Sequence, residues 1–261
     1  MSNLQGISAV FKREMRSLFV SPGVYVALAA FVLLITYFFF SLVQYYHALV
    51  GAFNAAPMQG SRLPPNISSD IVEPFLRFVA LGFVFLLPLL SMRTIVEERN
   101  NGTLEMLYIS PLCLSQIILG KFSAVLAVIS IVLLFVCVFP LVLFFLGGVE
   151  LAAFIAGIFG LLLYAMALAS VSLAVAAVSP NQLVAAAGSM ILLLLLYVSD
   201  VPVAPLHSWL SSVLEYCTPR MHVDQFILGV VATPHLVYFA SVSLLGLYLA
   251  HLALNSERWR S

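Results

Sequence analysis

The sequence predicts an all-α polytopic membrane protein. It has six transmembrane helices, an N-terminal amphipathic helix lying on the membrane surface, and a polar hairpin before the sixth span. Three observations carry this. The 261 residues are 63% hydrophobic and only 8% charged, with a mean hydropathy of +1.12, more apolar surface than a soluble core of this size uses. Several uncharged runs reach the roughly 20 residues that a helix needs to cross a bilayer. Charge collects between those runs rather than inside them. A single transmembrane domain over residues 1–261 accommodates the whole chain.

Residues 3–20 come first. Leu4, Ile7, Phe11, Met15 and Leu18 recur at three- and four-residue spacing, while Lys12, Arg13 and Arg16 fall mostly on other faces. That is the pattern of a helix lying in the membrane interface; a simple cytoplasmic stub is the plainer alternative. The N-terminus does not read as a secretory signal, because its apolar stretch is too long and no small-residue cleavage site follows. Ser21-Pro22-Gly23 then turns the chain into the bilayer. The spans are residues 24–46, 71–92, 115–146, 151–178, 183–199 and 235–254. Pro88 and Pro140 are candidate bends in the second and third. Residues 151–199 are uncharged and too long for one span. Ser179-Pro180-Asn181-Gln182 divides them, since proline ends a helix and Asn181 suits a cap. Thr233-Pro234 opens the sixth span.

Two outer segments remain. Residues 51–70 are rich in turn residues, and Asn66-Ile67-Ser68 matches a glycosylation sequon that is short enough to arise by chance. Residues 201–233 are too polar to span, yet Leu206, Trp209, Leu210, Val213, Leu214 and Cys217 keep helical spacing. They predict an amphipathic outer hairpin, with an extended loop on the membrane as the alternative. Six spans put both termini on one side. If that side is cytoplasmic, Lys12, Arg13, Arg16, Arg93, Arg99, Lys121, Arg258 and Arg260 lie inside, and only Arg62, Arg77 and Arg220 lie outside. The positive-inside rule favours that orientation.

Several function classes fall away. Net charge is zero, and no basic stripe interleaved with aromatics supports nucleic-acid binding. Cys113, Cys137 and Cys217 lie at different depths and lack a CxxC spacing, which argues against a disulfide or a zinc site. No charged residue sits mid-span, where ion-coupled transporters carry their relays. The chain has no GxxxxGK[ST] phosphate loop, so ATP must be bound elsewhere if it is used. A Ser189 dyad with His235 or His251 would suggest an intramembrane hydrolase, but the predicted depths differ and no GxSG motif accompanies the serine. Ala185 to Ser189, and the pairs Ala153/Gly157 and Ala156/Gly160 in the fourth span, instead read as close helix packing. His207, His222 and Asp224 show no metal-ligand spacing. Tyr37, Phe38, Phe39, Phe40, Tyr45 and Tyr46 crowd the outer half of the first span. As well as an interfacial belt, Tyr37, Phe40 and Tyr45 are candidates for a substrate path or a dimer interface.

The stretch Glu97-Glu98-Arg99-Asn100-Asn101-Gly102-Thr103-Leu104-Glu105-Met106-Leu107 is the most informative. Arg93, Glu97, Glu98, Arg99 and Glu105 cluster here in a chain otherwise poor in charge. Placing these five at the bilayer centre would cost about 2.5–3.5 kcal/mol each, or about 12–18 in all. They therefore lie outside the hydrocarbon. Asn100-Asn101-Gly102 is a helix stop. Thr103 caps a new short helix, with Glu105 near its positive end, and Ser110-Pro111 ends it. Leu104, Leu107 and Tyr108 give that helix an apolar face suited to a cleft on a soluble partner, with an ordinary solvated loop as the alternative.

Glu98-Arg99-x-x-Gly102-Thr103-Leu104-Glu105-x-Leu107, followed by Ser110-Pro111 and Gly120-Lys121-Phe122, resembles the cytoplasmic loop of ABC-2 type permeases, the membrane subunits of a class of ABC transporters. The resemblance extends over the whole chain. It is strongest to the gliding-motility permease subgroup and its relatives, through Ser179-Pro180-Asn181-Gln182 and Glu257-Arg258-Trp259-Arg260. It implies that residues 97–111 form a coupling helix on a nucleotide-binding subunit, with Glu98, Arg99, Gly102, Thr103, Leu104, Glu105 and Leu107 as the contact. It also implies a non-catalytic permease of the bacterial inner membrane, with ATP and magnesium on the partner ATPase and no cofactor on this chain. A second permease chain, identical or homologous, and an extracytoplasmic auxiliary subunit are the further expected partners. Substrate export is the implied activity. The alternative is a membrane anchor that transmits ATPase motion to an extracytoplasmic partner without transporting.

Overall fold

A computed structural model describes residues 3–55, 64–100, 113–145, 150–199 and 216–258. Among them every regular element is helical: α1 (Asn3–Val20), α2 (Pro22–Ala55), a π-helical turn (Ser68–Val72), α3 (Glu73–Asn100), α4 (Leu114–Phe145), α5 (Leu151–Val178), α6 (Gln182–Val198), α7 (Pro219–Ile227) and α8 (Thr233–Arg258). Five helical stretches are long and apolar enough to cross a membrane: Pro22–Ala55, Ser68–Val96, Leu114–Phe145, Leu151–Val178 and Thr233–Ser256. The apolar helix α6 is shorter, at 17 residues, or about 25 Å at 1.5 Å per residue.

Helix α5 is the hub. It packs against α3, α4, α6, α7 and α8, and its small residues explain why so many neighbours fit. A Cβ on Gly160 would collide with Phe226 of α7, one on Gly157 would come within 2.8 Å of Leu76 of α3, and one on Gly246 of α8 would overlap Ser170 of α5. Helices in lipid gain little from excluding water and associate instead through such close backbone approach. The small-residue stripe read from the sequence thus receives α3 at Gly157 and α7 at Gly160.

Helix α2 lies at the edge of the bundle against α3. Its aromatic crowd divides by face. Phe38 stacks on Phe78 with ring centroids 3.8 Å apart, and Phe39 packs between Phe75 and Phe139 at 5.3 and 5.0 Å. Tyr37, Phe40 and Tyr45 turn outward, 76%, 58% and 60% exposed. The helix also continues beyond Tyr46 to Ala55.

The breaks between helices have local causes. Asn181, extended at φ −144° and ψ 165°, caps α6 by accepting the Val184 N–H at 2.9 Å. Pro180 precedes it and cannot continue α5. The π-helical turn before α3 is closed at its start by a reciprocal pair. Asn66 Oδ1 accepts the Ser68 N–H at 3.1 Å, and Asp70 Oδ2 accepts the Asn66 N–H at 2.9 Å. The asparagine of the sequon is therefore occupied in backbone capping. Both Pro88 and Pro140 lie inside helices that continue through them.

Candidate functional site

The predicted contact loop lies mostly outside the described residues: Gly102, Thr103, Leu104, Glu105 and Leu107 all fall there, as does the side chain of Arg99. Glu98, in the last turn of α3, is described. Its carboxylate points back into the protein. Glu98 Oε2 lies 2.6 Å from Lys121 Nζ of α4, and Oε1 accepts from Arg13 of α1. Lys121 Nζ also donates to Glu14 Oε1 of α1 at 2.8 Å and to the Thr94 carbonyl of α3. Arg13 Nη2 completes the ring to Glu14 Oε1 at 3.0 Å. Two carboxylates and two cations thus bind three helices into one neutral cluster.

All of the cluster but Arg13, whose side chain is 46% exposed, is buried. The Lys121 and Glu14 side chains are 3% and 5% exposed and that of Glu98 is 17% exposed. Charges in such a place persist only when they are paired. Burial pushes the Glu14 carboxyl up, but the Lys121 ammonium and then Arg13 outweigh it and leave Glu14 below the usual carboxylate range. Glu98 stays above that range, because burial and its neighbour Glu14 outweigh Lys121 and Arg13. The division has a structural basis: Glu14 sits deeper, and Lys121 and Arg13 both donate to its Oε1.

Sequence reasoning overlooked Glu14. The buried side of α1 is Gly6, Val10, Glu14 and Leu18, a four-residue stripe along α4, whereas Ile7, Phe11 and Met15 are half-buried and Leu4 is exposed. A carboxylate in the middle of a stripe does not read as a buried face until its cation is known. The legible hint was Gly120-Lys121. A Cβ on Gly120 would lie 2.6 Å from Val10, so the glycine lets α1 approach closely enough for Lys121 to reach Glu14. Just beyond, Arg93 of α3 donates to Ser21 Oγ at the α1–α2 joint.

A second polar cluster closes the opposite end of α3. Arg77 Nε donates to Asp224 Oδ1 of α7 at 3.1 Å, and Arg77 Nη2 lies 3.7 Å from Glu73 Oε2. Arg220 of α7 sits over the Tyr197 ring of α6, 5.2 Å from its centroid. His222 Nδ1 is 2.7 Å from His235 Nδ1 of α8. His222 and Asp224, which show no metal-ligand spacing in the sequence, fasten α7 to its neighbours, with His235 of α8 as one of the partners. His235 is engaged with His222, while the Ser189 hydroxyl donates to its own helix at Ala185 O, 2.7 Å away. The two halves of the suggested dyad thus have other partners. Residues 201–215 of the predicted hairpin lie outside the described residues; its remaining part is α7 and the turn at Gly229, with φ +83°.

Two of the concavities among the described residues are apolar. A groove of about 450 Å³ between α4 and α5 is lined by Leu133, Cys137, Phe154 and Ile158. Another of about 390 Å³ between α2 and α3 is lined by Phe31, Leu34, Phe78 and Phe85. Neither has the convergent polar groups that a small polar ligand needs. No group of three or more potential metal ligands occurs among the described residues.

Comparison with known proteins agrees with this architecture. Residues 51–216 match the model of a family described as ABC-2 family transporter protein. No curated protein matches the chain. The family match covers more than half of the sequence and spans the loop end and the small-residue hub, so the chain belongs to the ABC-2 transporter family and is a membrane permease component of an ABC transporter.

Proposed function

We propose that this chain is the permease of a bacterial inner-membrane ABC exporter, driven through residues 97–111 by a separate nucleotide-binding ATPase. One observation carries the reading. Glu98, the last described side chain before the loop, is tied to α1 and α4 through Arg13, Glu14 and Lys121. A force on the loop is thereby delivered to three helices together rather than to one flexible connection. The lack of a phosphate loop in this chain puts ATP and magnesium on the partner.

In this reading the span count is six. Helix α6 is the fifth span, and both termini face the cytoplasm, in keeping with the basic residues that gather at the loop end. The outward face of α2, with Tyr37, Phe40 and Tyr45, meets either lipid or a second permease chain. Within the family, the proposed kinship is with the gliding-motility permease subgroup.

Co-expression with the cognate ATPase tests the coupling. The complex should purify intact, and Leu104→Asp combined with Glu105→Lys should weaken it, because the first puts a charge on the docking face and the second reverses the helix-capping charge. A complex that survives both substitutions undiminished would sink the assignment of residues 97–111.

A further inference from the structure

We propose that His222 and His235 form a proton-operated latch, which holds α7 against α8 while His222 Nδ1 is an open acceptor and lets go when a proton occupies it. The hydrogen-bond geometry sets this condition. His222 Nε2 lies 2.9 Å from the Tyr216 carbonyl, which can only accept, so that nitrogen carries a hydrogen. In the neutral ring Nδ1 is then the acceptor. The 2.7 Å contact to His235 Nδ1 requires His235 to donate from Nδ1.

A proton arriving at His222 Nδ1 breaks this arrangement. It would set two N–H groups head to head across the 2.7 Å contact and put a charge on a ring whose centroid is 4.9 Å from that of His235. His222 is itself buried, at 3% exposure. Its ring lies against Tyr238 at 3.8 Å and meets the edges of Tyr216 and Phe239.

The surrounding charged and titratable groups offer no relief. Asp224 of α7 is taken by Arg77 of α3, with Glu73 beyond. Arg220 of α7 is over Tyr197 of α6, and the Tyr238 hydroxyl donates to the Cys217 carbonyl at 2.5 Å. Tyr164 of α5 faces Phe239 rather than either imidazole. Among the described residues no carboxylate touches the pair. In agreement, burial holds His222 below the usual histidine range, ahead of the opposing Tyr216 bond and the added push from His235.

The sign follows from proton linkage. A histidine with a lowered folded value loses its stabilising contribution as pH falls below the free value of about 6.5. Above that value the latch is closed. Helix α7 keeps its contacts to α3, α5 and α6 when the latch opens, so the opening is a local loosening on its α8 side that makes transient fraying of its amides more frequent. The latch stands independently of the ATPase reading. Only the side of the membrane whose pH it senses, the outer side, depends on the proposed orientation.

Hydrogen exchange on the full chain in lipid nanodiscs tests this. Between about pH 7.5 and pH 5, amides 219–227 should lose about tenfold in protection after correction for intrinsic rates. His222→Gln keeps a donor for Tyr216 and an acceptor for His235 but cannot titrate, so its protection should stay flat. Wild-type protection that does not change with pH, or an equal loss in His222→Gln, overturns the latch. If the variant fails to fold, nitrogen NMR of the unmodified chain decides. One of its five histidines should be an Nδ1–H tautomer at neutral pH, and another should take up its proton only as the α7 amides lose protection. Five rings titrating as ordinary Nε2–H histidines would overturn the proposal.

Discussion

Lys121 shows how one residue can decide a local structure. Replacing it by methionine would leave Glu14 and Glu98 buried around Arg13 alone. Breaking a buried pair from one side costs about 3–5 kcal/mol, which should appear as a clear drop in Tm in detergent. Adding Glu14→Gln and Glu98→Gln to Lys121→Met should recover most of the loss, because no unpaired charge is then left inside. The same cluster has a defined acid response. Glu98, held above the usual carboxylate range, costs stability while ionised, and its protonation removes that cost. Glu14, held below it, stabilises above the unfolded value of 4.5, and that contribution is lost only as pH falls through its lower folded value. Exchange of amides 3–20 should therefore stay slow through mild acid and accelerate only below the carboxylate range. Earlier acceleration would contradict the pairing. Lys121 itself was visible in the sequence as the residue after Gly120. Its partner Glu14 was not, since they are far apart in the chain and only the packing of α1 along α4 joins them.

At the scale of an element, α5 and α7 depend on a fit between absence and bulk. Phe226 of α7 occupies the space that Gly160 leaves on α5. Gly160→Val should cost about 1–3 kcal/mol by overpacking, measured by thermal unfolding, and Phe226→Ala in the same chain should recover part of it. If the two losses simply add, the residues do not share this space. The stripe of small residues was legible, because its four-residue spacing places Ala153, Ala156, Gly157 and Gly160 on one side of a helix. What it receives was not legible. A glycine signals that something comes near without saying what, and α7 is a helix of nine residues whose apolar positions Val223, Phe226 and Ile227 do not say what they meet. Likewise Leu4, Ile7, Phe11 and Met15 predicted the amphipathic character of α1, but the face that actually seals against protein is the neighbouring one, built around a carboxylate.

For the whole molecule, the testable matter is which way it faces and what covers α2. In the proposed orientation, a cysteine at Asn101 reacts with an impermeant maleimide from the cytoplasmic side only, and labelling from the outside alone would reverse the topology. Tyr37→Cys reports on α2. Oxidative cross-linking to a doubled mass in native membranes is expected if its outward face meets an identical chain, and labelling by a lipid-soluble maleimide without cross-linking is expected if it meets lipid. Class and family were accessible from one chain, because hydropathy runs are set by bilayer thickness and a charged loop must leave the hydrocarbon wherever it occurs.

The amino-acid sequence by itself determined that this is a helical membrane protein. It also determined where the helices break, at Pro180-Asn181 and around the charged loop, since chain length, proline, glycine caps and the cost of buried charge all act locally. Only the tertiary structure decided that Glu98 looks inward to Lys121 and Glu14, that Phe226 fills the gap at Gly160, and that His222 meets His235. Each of these joins residues on different helices. Their pairing depends on how the helices pack, and no spacing along one chain encodes that.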